Sequence, residues 1–595
     1  MFTTRPELVG SVGMVASTHW LASSAGMQVL ERGGNAVDAA VTAAFVLQVV
    51  EPHLNGPGGD VPLLVAGPDG DVQVYCGQGP TPQAATIERF AELDLDLVPG
   101  SGLLAAVVPG AFGAWSLLLE QRGTWHLRDV LEPAIAYAAD GFPLLPGTVA
   151  TIRAVEALFR DEWPTSAAAW LGPAGVPQAG SRSRNEPLAR TWRRVLAEAE
   201  AAAGGREEQI AAARNVFYRG FVAEAIADWC ATEEVMDTSG RRHGGLLTGD
   251  DLARWQPTVE PSVSVDYAGL TVHKTGPWGQ GPVLLQQLQL LAGFDLPAMG
   301  HLSLDMVHTV VECAKLAFAD REAWYGDPAA CDVPLKTLLS ASYADERRAL
   351  VSEQASYELR PGSPDGRTPR LASRTGGGGS RPAVTADGAG EPTVLGDGDT
   401  RGDTCHLDVV DRDGLMVSAT PSGGWLQSSP VIPALGFPLG SRAQMAWLEA
   451  GLPASLAGGV RPRTTLSPSL ATRDGRPYLA FGTPGGDQQD QWSLVFLLAH
   501  LHGGLDLQAS IDAPMFHSTH FPSSVYPREA APGGVVVEGR LAPEVVAGLR
   551  ERGHDVTVTG DWSQGRVSAA GVDPDTGFLK AAANARGMQG YAVGR

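Results

Sequence analysis

The residue with the clearest chemical potential is Thr404. It stands where a glycine-rich, charged stretch gives way abruptly to a strand pattern, Thr404-Cys405-His406-Leu407-Asp408-Val409-Val410-Asp411. A threonine hydroxyl is a weak nucleophile unless a base sits beside it. A free α-amine on the same residue can be that base, with a pKa of roughly 7.7–8.0 and a tether that keeps it within reach of Oγ. The amine exists only once the Asp403–Thr404 peptide bond is cut. Before the cut, the same hydroxyl can attack the Asp403 carbonyl carbon and move the acyl group from nitrogen to oxygen. A self-cleaving amide-bond hydrolase needs this arrangement, although on local pattern alone an ordinary β-branched strand residue accounts for Thr404 better. Cys405 is the rival nucleophile and would require cleavage one residue later. The commoner fate of a free cysteine is a small buried strand residue.

Other groups could assist. Gly485-Gly486 follows a strand and could offer two backbone N–H groups to an oxyanion, but by itself the pair reads as a tight turn. Thr464 and Thr465 open another strand and could bind a substrate carboxylate or simply pair in a sheet. His500-x-His502 and His517-x-x-His520 lack a carboxylate or cysteine at ligand spacing, so no metal is expected. The chain carries no G-x-S-x-G, H-E-x-x-H or P-loop signature. Gly276 to Gly281 forms a glycine turn before a helix, with the wrong spacing for a dinucleotide fingerprint.

These groups need a frame. Residues 33–50 read as a buried helix entered through a Gly-Gly-Asn turn, followed by the rigid loop Glu51 to Asp60 and two strands, VPLLVAG and VQVYC. Helical patterns dominate from about 110 to 235, strands return at 261–275, and two helices follow, the second ending at Gly326. Residues 360–403 have almost no aliphatic content and read by composition as a flexible linker. After Thr404 come a hairpin turning at Arg412-Asp413-Gly414, a strand pair within 462–484, and a helix over WSLVFLLAHL. The expected organisation is therefore 1–359, a linker over 360–403, and 404–595.

Composition narrows the class. A chain of 595 residues with 44% hydrophobic and 18% charged residues is globular and larger than one core usually serves. A net charge of −22 repels nucleic-acid phosphate. Five cysteines without a C-x-x-C pair argue against a disulfide framework or a zinc ribbon. The first thirty residues lack a secretory pattern, and Ala39–Val50 is too short to span a bilayer. A cytoplasmic enzyme without a membrane or nucleic-acid partner is expected.

Taken together, the ordered segments resemble the γ-glutamyltransferase (glutathione hydrolase) family of N-terminal-nucleophile hydrolases. The resemblance rests on GGNAVDAAVTAAFVLQVVEPHLNGPGG, VPGAFGAW at 108–115, LLTGDDLARW at 246–255 and AFADREAWYGDP at 317–328. It continues through GDTCHLDVVDRDGLMVSAT at 402–420, PRTTLSPSL at 462–470 and FGTPGGD at 481–487. It implies an α+β fold, a four-layer αββα sandwich shared by two chains cut from one precursor, and no metal or organic cofactor. It makes Thr404 the autoprocessing nucleophile, with cleavage between Asp403 and Thr404. The fragments 1–403 and 404–595 would stay associated. Ser422 takes the place of a second hydroxyl that contacts the nucleophile, Gly485 and Gly486 the oxyanion pair, and Thr464 and Thr465 two carboxylate-binding serines.

The departures concern the pocket. Typical members bind the γ-glutamyl carboxylate with an arginine, where this chain aligns Gln78. They hold the α-amino group with an aspartate and an asparagine, where it aligns Ala446 and Gly424. Gln does not replace a bidentate, charge-assisted arginine, and losing such a pair typically costs about 2–5 kcal/mol. Arg442, Gln444 and Arg89 are candidates for replacement contacts. The expectation is an amidohydrolase acting on a small acidic amide substrate, such as an oxamate-type compound. A glutathione hydrolase/γ-glutamyltransferase with a rearranged pocket and an unprocessed, non-catalytic binding protein are the alternatives.

Overall fold

A computed structural model describes residues 2–202, 204–373, 404–586 and 590–595. Two seven-stranded antiparallel sheets form its centre. In spatial order, the first contains Tyr591–Gly594, Gly13–Ser17, Leu407–Asp411, Met416–Ala419, Val61–Ala66, Val72–Gly77 and Thr258–Pro261. The second contains Leu8–Gly10, Leu579–Ala583, Ser568–Val572, Arg476–Gly482, Ser469–Arg473, Leu270–Lys274 and Val263–Tyr267.

Three apolar interfaces define four layers. A small cluster including Val74, Val410, Met416, Leu470 and Ala570 lies between the sheets. The outer face of the first sheet packs on helices that include Ala36–Val50, Ala111–Arg122 and Glu186–Ala202. The outer face of the second packs on Pro282–Leu291, Leu304–Trp324 and Gln489–Leu501. The fold is thus the expected αββα sandwich. Ala36–Val50 shows why this sequence builds it. Asn35 caps the helix by accepting from the Val37 and Asp38 amides, and Asp38 accepts from the Asn35 N–H in return. All fifteen residues are buried, which the small alanines permit by letting neighbouring elements approach closely.

The strand at 407–411 alternates as expected, but both its faces are buried. Leu407 and Val409 face the helices, whereas Asp408 and Val410 face the other sheet. Its polar face is satisfied internally: Asp408 accepts from Ser418 Oγ at 2.8 Å and from Ser568 Oγ of the opposite sheet at 3.0 Å.

The start of the expected linker is different. Residues 360–373 pack against the body, with the Gly362 N–H donating to Asp320 at 2.7 Å, Pro364 and Ala372 buried, and the Ser373 N–H donating to Glu449 at 2.7 Å. Backbone hydrogen bonds and a few apolar side chains, Leu371 and Ala372 among them, anchor this stretch. Residues 374–403, including Asp403, lie outside the described residues.

Candidate active site

Thr404 extends the ladder between Leu407–Asp411 and Met416–Ala419. It bridges Ser422 in the same register that pairs Leu407 with Ala419. Ser422 is bridged on its other side to Asp60, with the Asp60 N–H donating to the Ser422 carbonyl at 2.8 Å and the Ser422 N–H to the Asp60 carbonyl at 3.0 Å. Asp60, Ser422 and Thr404 therefore form one row across three adjacent strands. The Thr404 and Ser422 hydroxyls are 3.1 Å apart, and both residues are fully buried.

Strand parity separates the two rival nucleophiles. Successive side chains point to opposite faces, so Thr404 shares the inter-sheet face with His406 and Asp408. Cys405 shares the helix-facing side with Leu407 and Val409 and belongs to their apolar cluster. Its thiol donates to Glu51 Oε2 at 3.0 Å. Burial first, and the Glu51 carboxylate second, push that thiol well above its ordinary range. A thiol held protonated is a poor nucleophile.

The glycine corner comes close to the same strand. A Cβ at Gly482 would lie 2.4 Å from the His406 ring, so only glycine lets this strand end approach. Gly485 follows with a φ of 121°, a conformation that favours glycine. The Gly485 carbonyl accepts from the Gln489 side chain and the Gly486 carbonyl from the Gln489 N–H at 3.2 Å. Neither glycine amide N–H meets a backbone acceptor among the described residues. The corner is braced by a buried Lys274–Asp490 pair at 2.9 Å at the start of the following helix.

The expected pocket residues divide into two groups. Gln78 is 1% exposed, and neither end of its amide has a partner among the described residues. The Thr465 hydroxyl is likewise buried without a partner there. By contrast, Thr464 donates its N–H to the Trp278 carbonyl at 3.0 Å, and its hydroxyl accepts from the Leu466 N–H. Gln444 donates to the Gly100 carbonyl and Ser441 Oγ, and accepts from the Tyr526 N–H at 3.0 Å. Arg442 clasps Asp60 through two 3.0 Å hydrogen bonds. Burial pushes the Asp60 carboxylate up from its ordinary value, against the opposing pull of Arg442. Arg89 pairs with Glu92 on an exposed helix. Arg442 and Gln444 are thus engaged by the protein and brace the loops around the site.

At Gly424 a side chain has no room. Its φ is 63°, and a Cβ would meet the Gly58 and Gly59 backbone at 2.8 Å. The asparagine of typical relatives could not be restored here without moving backbone.

Sequence reasoning missed Asp60, although it ends the quoted glycine loop. It also missed a buried charge cluster of Arg321, Glu322, Arg463, Asp487 and Arg528. The signal in the sequence is the adjacent Arg321-Glu322 pair within AFADREAWYGDP at 317–328.

The sequence matches the family model described as gamma-glutamyltranspeptidase over residues 22–594. It is 30% identical to the glutathione hydrolase-like YwrD proenzyme of Bacillus subtilis, with 99% of each chain covered. It is also 30% identical to the oxamate amidohydrolase proenzyme of Klebsiella pneumoniae, over 98% of this chain and 99% of that one. The solved structure of LmbA2991HD is 57% identical, with a TM-score of 0.93 and 100% of both chains covered. No helix among the described residues is long and apolar enough to cross a membrane. This chain belongs to the γ-glutamyltranspeptidase family and is an N-terminal-threonine hydrolase of that family.

Proposed function

We propose that the chain is a proenzyme that cuts itself between Asp403 and Thr404 and then hydrolyses an amide bond of a small acidic substrate. The observation that carries this reading is the row Asp60–Ser422–Thr404, which turns the Thr404 hydroxyl toward the inter-sheet face and Cys405 away from it.

In processing, Thr404 Oγ attacks the Asp403 carbonyl carbon, and the peptide C–N bond breaks as an ester C–O bond forms. Water then hydrolyses the ester, leaving the Asp403 carboxylate and the free Thr404 α-amine. In turnover, that amine accepts the hydroxyl proton as Oγ attacks the substrate carbonyl. The Gly485 and Gly486 N–H groups hold the developing oxyanion. The amine returns the proton to the leaving nitrogen, and water resolves the acyl-threonine. The Gln78 amide and the Thr465 hydroxyl, which have no partner among the described residues, are left to hydrogen-bond the substrate. Gln78 in place of an arginine, and the absence of room at Gly424, favour a substrate other than a γ-glutamyl compound.

A denaturing gel tests the first half. Wild type should run as fragments 1–403 and 404–595, Thr404→Ala as one band, and N-terminal sequencing of the smaller fragment should begin at Thr404. A single wild-type band under active conditions would refute self-processing. Comparing oxamate and other small amides with γ-glutamyl-p-nitroanilide tests the second half, and ready turnover of the γ-glutamyl compound would refute the pocket reading.

A further inference from the structure

We propose that Arg528 receives the carboxylate of the substrate, supplying from a different element the cation that position 78 lacks. The inference deepens the acidic-amide reading and rests on it.

Five charged side chains form one buried cluster: Arg321, Arg463, Arg528, Glu322 and Asp487, none more than 9% exposed. Both carboxylates are already committed. Glu322 Oε1 accepts from Arg321 at 2.8 Å and from Arg463 at 2.7 Å. Asp487 accepts from Arg321, from the Ser524 hydroxyl at 2.6 Å and from the Ser524 N–H at 2.8 Å. Three cations thus face two anions, and Arg528 makes no ion pair among the described residues. Its Nη2 donates to the Gln444 carbonyl at 3.1 Å, and its guanidinium lies 4.1 Å from the centre of the Trp447 ring. Its Nε and Nη1 donors have no partner among the described residues, which leaves two edges of the planar group unmet.

A buried charge without a counter-ion is costly. Burial lowers the Arg528 pKa to about 9, which still leaves the group charged at neutral pH. An arriving carboxylate would supply the missing anion and take the open donors, the kind of charge-assisted contact for which arginine is suited.

The position fits the site. Arg463 immediately precedes Thr464 and Thr465, Asp487 immediately follows Gly485 and Gly486, and Gln444 lies two residues from the Arg442 that clasps Asp60. The segment carrying Gln78 runs beside Val460 and Arg461, with the Thr81 N–H donating to the Val460 carbonyl at 3.0 Å and Arg461 reaching Cys76 Sγ at 3.4 Å. Arg528 is thus joined, through the Gln444 carbonyl and the charges of Arg463 and Asp487, to the segments that carry Arg442, Thr464, Thr465, Gly485 and Gly486.

The test compares processed wild type, R528Q and R528K by calorimetric binding and by ammonia release. The probes are oxamate against the neutral oxamide, and succinamate against succinamide. Wild type should bind at least one acid tenfold or more tightly than its diamide. R528Q should bind acid and diamide alike, raising KM for the acid while leaving that for the diamide unmoved. R528K, which keeps the charge but loses the planar fork, should fall between. If melting curves show that R528Q does not fold, R528K decides the matter through at least a threefold loss of acid preference. An acid preference that survives in the folded variants overturns the role of Arg528. A wild type with no acid preference overturns the acidic-amide reading itself, so the two failures are distinguishable.

Discussion

The Asp60–Arg442 clasp offers a quantitative test of how the nucleophile row is held. Arg442→Met would remove one partner of a buried ion pair whose members are no more than 2% exposed and joined by two 3.0 Å hydrogen bonds. Breaking such a pair from one side costs about 3–5 kcal/mol, because the remaining charge is left uncompensated. Asp60 would then protonate, a change burial already favours. The backbone of Asp60 is bonded in both directions to Ser422, whose hydroxyl lies 3.1 Å from that of Thr404. A shift there should slow self-cleavage as well as weaken the fold. Stability is best measured by urea unfolding in a Thr404→Ala background, where every molecule is one uncut chain. R442M should lose about 3–5 kcal/mol and D60N a similar or smaller amount. The double variant, in which neither charge is left alone, should recover at least about 2 kcal/mol relative to the sum of the singles. In chains that retain Thr404, the double variant should also cleave faster than R442M. Additive losses, or an R442M protein as stable as its parent, would refute the claim that Arg442 serves Asp60.

Two further outcomes are expected. Cys405→Ala should cleave and turn over as wild type does, and iodoacetamide should not inhibit the native enzyme, because the thiol faces the helix layer and is held protonated. Loss of cleavage in C405A on a gel would reverse the assignment of the nucleophile. Burial lowers the pKa of His517 from 6.5 to about 3. The unfolded chain therefore binds the proton first as pH falls. No penalty exists above 6.5, and it grows below that value until the folded form also protonates near 3, reaching about 2 kcal/mol at pH 5. Between pH 7 and 5, wild type should lose about that much more stability in urea than His517→Gln, and equal losses would show that His517 is not buried neutral.

Several features were legible in the chain alone because they are local. The capped alanine helix at 36–50, the hairpin around Gly414 and the strand-then-glycine corner at 482–486 follow from periodicity and turn chemistry. The ordered motifs made the family and its layered fold readable. They also marked Thr404, which strand pattern alone could not separate from an ordinary β-branched residue. What the chain could not disclose depends on partners far apart in sequence. Arg442 reads as a spare cation until Asp60 is found against it, 382 positions away. Gln444 reads as a pocket residue until Gly100 and Tyr526 use up its amide. Residues 360–373 read as linker because their composition lacks aliphatics, yet backbone hydrogen bonds to distant acids hold them down. The surplus charge at Arg528 emerges only when four separate segments converge. The sequence by itself determined the family, the layers and the kind of nucleophile, because the ordered motifs that carry them are spelled out along the chain. Only the tertiary structure decided which face Thr404 and Cys405 take and which charges are already spent, because pairing and burial belong to the packed chain.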